Sequence, residues 1–401
     1  MSSPKKFQFA NVFTLSAAHL IHDIYTSFLA PILPLLIEKL SMSLSLAGLL
    51  SVIQRIPSLF NPLIGILAEK MRIRFLVIFA PAFTTIAMSL IGVAPAYIIL
   101  AVLLFVSGIS STLFHVPAPV MIKQVAGSRL GKGMSYFMLG GELARTLGPL
   151  IIVAAVETWG LNGSLRLIPF GIISSFVLYY RLKDIEIRKD FKKNPLAIGY
   201  KSTFLKFLPI FISLGGITLF RAGMKAALTL YLPVYLMEKE SSLWFAGISL
   251  SLLQLAGAIG TYLSGTISDR IGRRTTLVII TIISPILMWI FISMKATNTL
   301  PLLILSGLFL VAPTSVNLAI VHEMDTEHTA FVNSIYMTIN FVMSSLMLLL
   351  VGVSWDLIGP DLTYKLSAGI AFIAIFFALR VPGKKQQRTE PSKLKQNPAN
   401  K

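Results

Sequence analysis

Gly265-Thr-Ile-Ser-Asp269-Arg270-Ile-Gly272-Arg273-Arg274 has a looser copy about 200 residues earlier, Gly65-Ile-Leu-Ala-Glu69-Lys70-Met-Arg72-Ile-Arg74. The same offset sets Ser51 over Ser251, Gln54 over Gln254 and Leu63 over Leu263. Self-similarity at one long offset marks a chain built from two related halves. Each copy closes an apolar run long enough to cross a bilayer as a helix.

Outward from these segments, apolar runs near 11–37, 46–68, 74–93, 96–123, 133–156, 164–181, 205–236, 243–267, 275–294, 299–321, 329–353 and 362–381 predict twelve such helices, numbered here as spans 1 to 12. The long hydrophilic connection from Arg181 to Lys206 follows the sixth run, and it mixes eight Lys and Arg with Asp184, Glu186 and Asp190. The expected fold is an all-α membrane protein of twelve transmembrane helices in two six-helix pseudo-repeats. The first bundle covers 1–181, a cytoplasmic basic linker covers 182–204, the second bundle covers 205–381, and a disordered basic cytoplasmic tail covers 382–401.

Composition points the same way. Hydrophobic residues make up 55% of the 401 positions and charged residues 13%, with a mean hydropathy of +0.78, whereas soluble domains carry about a quarter charged residues. The net charge of +18 would suit nucleic acid, but its placement decides otherwise. With both ends inside, 26 of the 35 Lys and Arg fall on inner segments and five, Lys39, Arg166, Lys239, Lys295 and Lys365, on outer loops. That asymmetry is the positive-inside rule. It predicts cytoplasmic termini, a plasma (inner) membrane location and a lipid bilayer, not nucleic acid, as the partner of the basic residues. There is no cysteine, so disulfides and thiolate metal sites are excluded. No His-Glu-x-x-His, Gly-x-Ser-x-Gly or phosphate-loop pattern is present, and no enzyme activity is expected.

The Gly265–Arg274 segment resembles the loop signature Gly-x-x-x-Asp-Arg-x-Gly-Arg-Arg of the major facilitator superfamily at every named position. The first copy is a degraded version, with Glu69 for Asp and Arg72 where Gly is expected. Three further stretches resemble the fosmidomycin-resistance branch of drug efflux carriers. They are His22-Asp23-Ile-Tyr25-x-x-Phe-Leu-Ala-Pro31, Phe114-His115-Val-Pro-Ala-Pro119 and Gly133-Met-Ser-Tyr-Phe-Met-Leu-Gly140-Gly141-Glu142-Leu-Ala-Arg145-Thr-Leu-Gly148-Pro149. The last is also similar, more loosely, to the Gly- and Pro-rich motif on the fifth helix of proton-driven antiporters. These resemblances imply that spans 1, 2, 4, 5 and 7 line a central cavity or the interface between the halves.

Nine ionisable residues fall inside the expected spans: His19, His22, Asp23, Arg55, His115, Glu142, Arg145, Arg221 and Lys225. Charge within a bilayer is costly and marks function by default. His19, His22 and Asp23 share one face of span 1, and with Glu142 they form the proton-coupling set; the plainer reading of the same face is a polar cluster that crosslinks helices. Glu142 and Arg145, at i and i+3, suit either a coupling role or a structural ion pair. Arg221 and Lys225 put two cations on one face of span 7 with no carboxylate beside them. With Arg55, Arg145, Tyr25 and His115 they form the expected binding set for an anionic substrate, and Asp23 is expected to pair with span 7 when no substrate is bound. His115 precedes Pro117 and Pro119, which free backbone carbonyls and unwind a helix.

The two signature copies form the expected conformational gate, through Gly65, Glu69, Arg72, Gly265, Asp269, Arg270, Gly272, Arg273 and Arg274, together with Gly148 and Pro149 on span 5. His322-Glu323-Met-Asp325-Thr-Glu327-His328 has metal-ligand residue types but reads as a solvated acidic loop. No metal and no cofactor are expected, and the proton gradient is the energy source. The expected function is alternating-access efflux of a small anionic or amphipathic compound by proton antiport, carried out by a monomer. Proton symport of an anionic metabolite and a transporter-fold receptor are the alternatives.

Overall fold

The computed structural model describes residues 7–61, 73–183, 199–294, 299–326 and 328–383. Among them, eleven helices are long and apolar enough to cross a membrane, and a shorter apolar helical stretch, Leu44–Phe60, occupies the place of span 2. No strand occurs among the described residues. The long helices are Phe9–Leu40, Arg74–Val93, Tyr97–Ala126, Leu130–Trp159, Leu161–Leu182, Tyr200–Thr229, Leu243–Ile271, Arg273–Ser293, Leu300–His322, Phe331–Ile358 and Pro360–Arg380, spans 1 and 3 to 12 in order.

Prolines set the interruptions. A proline has no N–H to give to the carbonyl four residues back, and its ring crowds that carbonyl. Span 1 accordingly breaks between Thr26 and Leu29, with Pro31 four residues after Ser27. Span 4 breaks between His115 and Ala118 beside Pro117 and Pro119, as the sequence predicts. Span 10 breaks between Leu310 and Pro313, which frees the carbonyl of Phe309. A short helix, Leu232–Glu238, continues span 7 after a similar break before Pro233.

The packing repeats with a step of six spans. Span 1 lies on 5 and span 7 on 11; span 2 lies on 4 and span 8 on 10; span 3 lies on 6 and span 9 on 12. Between the halves, span 5 meets span 8 and span 2 meets span 11, a pair that exchanges under the same step. The close approaches rest on glycines. A Cβ on Gly352 would sit 2.6 Å from the Leu44 carbonyl oxygen, and one on Gly247 would sit 2.9 Å from Val153.

Three apolar cores show where the halves join. Taking the end that carries Phe9 and Arg274 as the near end, the large far-end core mixes both halves, setting Phe28, Ile32 and Leu36 with Tyr231, Leu236 and Trp355. At the near end there are two separate cores. One is built from Val12, Phe114, Met121 and Leu182, and the other from Phe207, Leu277, Val316 and Val332. The polar crosslinks between the halves also lie toward the far end. The Asp356 carboxylate accepts from Leu44 N (2.8 Å) and Ser45 N (2.9 Å). Tyr231 donates to the Leu44 carbonyl at 3.1 Å, and Ser251 donates to Thr146 O at 2.7 Å. Among the described residues, one apolar core joins the halves at the far end, and the near end holds a separate core in each half.

Candidate functional site

Span 5 seats span 1 through Gly140, Gly141 and Gly148, whose missing side chains face Ser16, His19 and Ser27. A Cβ at Gly141 would lie 2.6 Å from His19 Cε1, so the imidazole occupies space that only glycine leaves. Gly148 and Pro149 are thus buried within the first half, and the close approach at Gly148 is to span 1.

His19, His22 and Asp23 do share the inward face of span 1, all less than a tenth exposed. Asp23 Oδ2 lies 3.1 Å from His19 Nε2, and Oδ1 lies 3.1 Å from His115 Nε2. The unwound turn in span 4 brings His115 to this place. His19 Nδ1 lies 2.7 Å from the carbonyl oxygen of Phe137, which can only accept, so Nδ1 carries a hydrogen and donates. Its Nε2 then faces a carboxylate oxygen, and two acceptors at hydrogen-bond distance require a proton or another cation between them. His22 stacks on Phe114 with centroids 4.5 Å apart, and neither ring nitrogen has a hydrogen-bond partner.

Opposite this cluster, in the second half, Arg221 is buried. It donates to Ser284 Oγ and to the Phe309 carbonyl, both at 2.9 Å. The acceptor in span 10 is the carbonyl that Pro313 releases. The expected pairing of Asp23 with span 7 is therefore corrected: Asp23 is held by two histidines of its own half, and Arg221 by neutral oxygens of its own half. Arg221 lines a small cavity of about 50 Å³ with Lys225, Thr218, Asn317, Tyr336 and Asn340.

Lys225 is exposed, as are Arg55 and Arg145. The charges of Arg55, Arg145 and Arg221 all act on Lys225, with Glu142 offsetting them. Glu142 and Arg145 form the intrahelical ion pair that their spacing suggests. Residues from spans 2, 5 and 7 thus meet electrostatically where the halves face each other. Tyr25 does not join them. It is buried, donates to the Leu167 carbonyl at 2.6 Å and packs on Phe28, so it braces the first half and offers nothing to a substrate.

Of the gate residues, Gly65, Glu69 and Arg72 lie outside the described residues. In the second copy, Gly272 holds φ +99°, a conformation that L side chains rarely adopt, and this lets span 9 start directly after span 8. Asp269 pairs with Arg273 at 2.6 Å, and Arg273 reaches on to Glu323 at 2.6 Å. Arg270 and Arg274 are exposed beside them, and Gly265 faces Ser315 of span 10. The acidic loop after span 10 therefore supplies Glu323 as a charge partner for span 9. Sequence reasoning missed Phe137, Ser284, Asn317 and Asp356; of these, only the carboxylate in the apolar run Val353–Ile358 carried a signal.

The family model of the Major Facilitator Superfamily matches residues 15–348. The chain is 23% identical over 371 residues to the Fosmidomycin resistance protein of Escherichia coli (strain K12), covering 90% of each protein. It is 21% identical over 267 residues to the uncharacterized MFS-type transporter YfnC of Bacillus subtilis (strain 168), covering 65% of each. Its fold matches a bacterial homolog of the human lysosomal transporter Spinster in an inward-facing, occupied conformation, with a TM-score of 0.79 at 14% identity over 97% of this chain and 100% of that one. It also matches a D-xylose-proton symporter, with a TM-score of 0.73 at 13% identity over 96% and 100%. With one family model spanning most of its length on a fold of paired six-helix halves, the chain belongs to the major facilitator superfamily and is a membrane transporter, not an enzyme.

Proposed function

We propose that this transporter exports a small anionic or amphipathic compound in exchange for protons, by rocking the bundles 1–181 and 205–381 about the far-end core. The observation that carries the proposal is Asp23 held between His19 and His115 in the first half, with Lys225 exposed in the second half among the charges of Arg55, Arg145 and Arg221. A group that must gain and lose one proton, facing a cation that must gain and lose one anion, is a physical basis for coupling two fluxes. Similarity to the Fosmidomycin resistance protein makes a phosphonate the first substrate to try. The test uses proteoliposomes: an acid lumen should accelerate uptake of a labelled phosphonate while the lumen turns alkaline. Acceleration by an alkaline lumen instead would identify symport, and no movement under either gradient would leave a binding protein.

In this reading the near end is cytoplasmic and the parted halves open inward, in the plasma membrane. Ser164, a natural labelling position on the outer loop, is wholly buried and bonded to Ser89 O. Exposed Asn162 replaces it as the outer test position, beside exposed Ser202 on the other side. In this cysteine-free chain, Asn162→Cys should react with an impermeant maleimide from outside and Ser202→Cys only after permeabilisation. Outside labelling of both would end the topology.

The Asp356 carboxylate closes the far end by accepting from two N–H groups at the start of span 2, where the helix dipole favours negative charge. Asp356→Asn removes a charge-assisted contact of about 1.5–3 kcal/mol. The expected result is a shift of roughly tenfold or more toward the outward-open population, read as a longer spin-label distance between the outer ends of spans 2 and 11. An unchanged distance distribution would show that the apolar core alone holds the far end.

A further inference from the structure

We propose that His19, Asp23 and His115 form a binding site for a divalent transition cation of the zinc class, with His22 as a reserve fourth donor. The residues belong to two different spans, yet their ligand atoms all lie within 4.8 Å of one another. The carboxylate stands between the imidazoles, 3.1 Å from each. Edges of a zinc-type coordination shell with bonds of about 2.0–2.1 Å are close to that length.

His19 has the orientation that metal-ligating histidines adopt. Its Nδ1–H is anchored on a backbone carbonyl, which fixes the tautomer and aims the Nε2 lone pair at the carboxylate. Gly141 leaves the room in which that ring sits. His22 supplies an independent observation: it is fully buried, both ring nitrogens lack partners, and Nε2 lies 4.0 Å from Asp23 Oδ1. A buried imidazole without partners is costly, and a cation within reach of a small ring shift would satisfy it. The His115 side chain is 37% exposed, which gives one open side for access and for a water ligand.

Donor chemistry selects the cation. Imidazole nitrogens with one carboxylate suit zinc, cobalt(II) or nickel(II), and there is no thiolate for softer ions. Calcium and magnesium require more oxygen donors than are present. The sequence reading expects no metal; the third donor of this set lies 92 residues from Asp23 along the chain. A bound cation takes the position of the hydrogen between His19 and Asp23, so occupancy should also block proton exchange. The site itself rests on donor geometry and stands apart from the transport proposal.

The experiment is a titration of tag-free, detergent-purified protein with Co²⁺ followed by visible absorption, and with Zn²⁺ by calorimetry and thermal melting. One equivalent should bind with a ligand-field band, Zn²⁺ should displace it, and Zn²⁺ should raise the melting temperature of the unaltered protein. His115→Gln, at the open side of the cluster, should weaken binding by about tenfold or more. The double variant His322→Gln, His328→Gln removes the only other histidines and should bind as the unaltered protein does. No band and no melting shift at one equivalent, or binding lost in the His322/His328 variant and retained in His115→Gln, would overturn the proposal. Failure to bind either cation by protein that transports would sink this inference alone, and cation binding by protein that, once stripped of the cation, moves no substrate under either gradient would sink only the transport proposal.

Discussion

Asp23→Asn should lower gradient-driven accumulation by on the order of 100-fold or more, the scale on which positioned proton-transfer groups act, while leaving equilibrium substrate binding nearly intact. An asparagine amide has almost the shape of the carboxylate and can donate an N–H to His19 Nε2, but it cannot take up or release a proton as the carboxyl does. His19 keeps its bond to Phe137 O, and the contacts that Gly140 and Gly141 make with span 1 do not change. The variant should therefore fold, bind and exchange substrate for substrate across the membrane, but it should no longer convert a pH difference into net flux. Counterflow with and without an imposed gradient separates the two. Accumulation that still follows the gradient would remove Asp23 from the coupling path. His22→Gln should shift the pH optimum with a milder loss, because His22 stands 4.0 Å from the carboxylate and acts on it without a direct bond.

These expectations mark how far the sequence reaches. The two-half architecture was legible because a bilayer forces long apolar runs, and because the segment that turns between helices recurs with Gly65 over Gly265 and basic residues after it, although Arg72 stands where the second copy has Gly272 at positive φ. The shared face of His19, His22 and Asp23 was legible from helical periodicity alone. What the sequence could not provide was the partner of each charge. His115 and Arg221 lie on other spans, 92 and 198 residues from Asp23, and their placement depends on where prolines unwind spans 4 and 10. A count of formal charges suggested that Arg221 needs a carboxylate. The structure meets the need with the carbonyl that Pro313 frees and a serine hydroxyl, neutral acceptors that no charge count includes. Tyr25 was misplaced for a related reason: standing two residues from Asp23 does not reveal that its ring packs into the far-end core and its hydroxyl donates to Leu167 O, 142 residues away.

The same correction changes what the span 7 cations should do when altered. Lys225 is exposed at the cleft, and the charges acting on it are mostly positive, from Arg55, Arg145 and Arg221 against Glu142. A cation among cations gains most from an incoming anion, so Lys225→Gln should weaken binding of a phosphonate or carboxylate by roughly 10- to 100-fold, the worth of one charge-assisted contact of about 1.5–3 kcal/mol. A neutral analogue of equal size should lose little. Arg221→Gln should behave differently. Its guanidinium ties the Phe309 carbonyl, just before the break in span 10, to Ser284 of span 9, so its removal leaves both acceptors without their donor and loosens the small cavity that Asn317 and Tyr336 line. Charged and neutral compounds should then suffer together. Arg221→Lys should recover only part of the loss, since a single ammonium cannot reproduce the fixed fork of the guanidinium. Binding of the anion and its neutral analogue to the three variants, measured in detergent without any gradient, decides the matter. Equal losses for both compounds in Lys225→Gln would show that this lysine shapes the cleft and does not read charge.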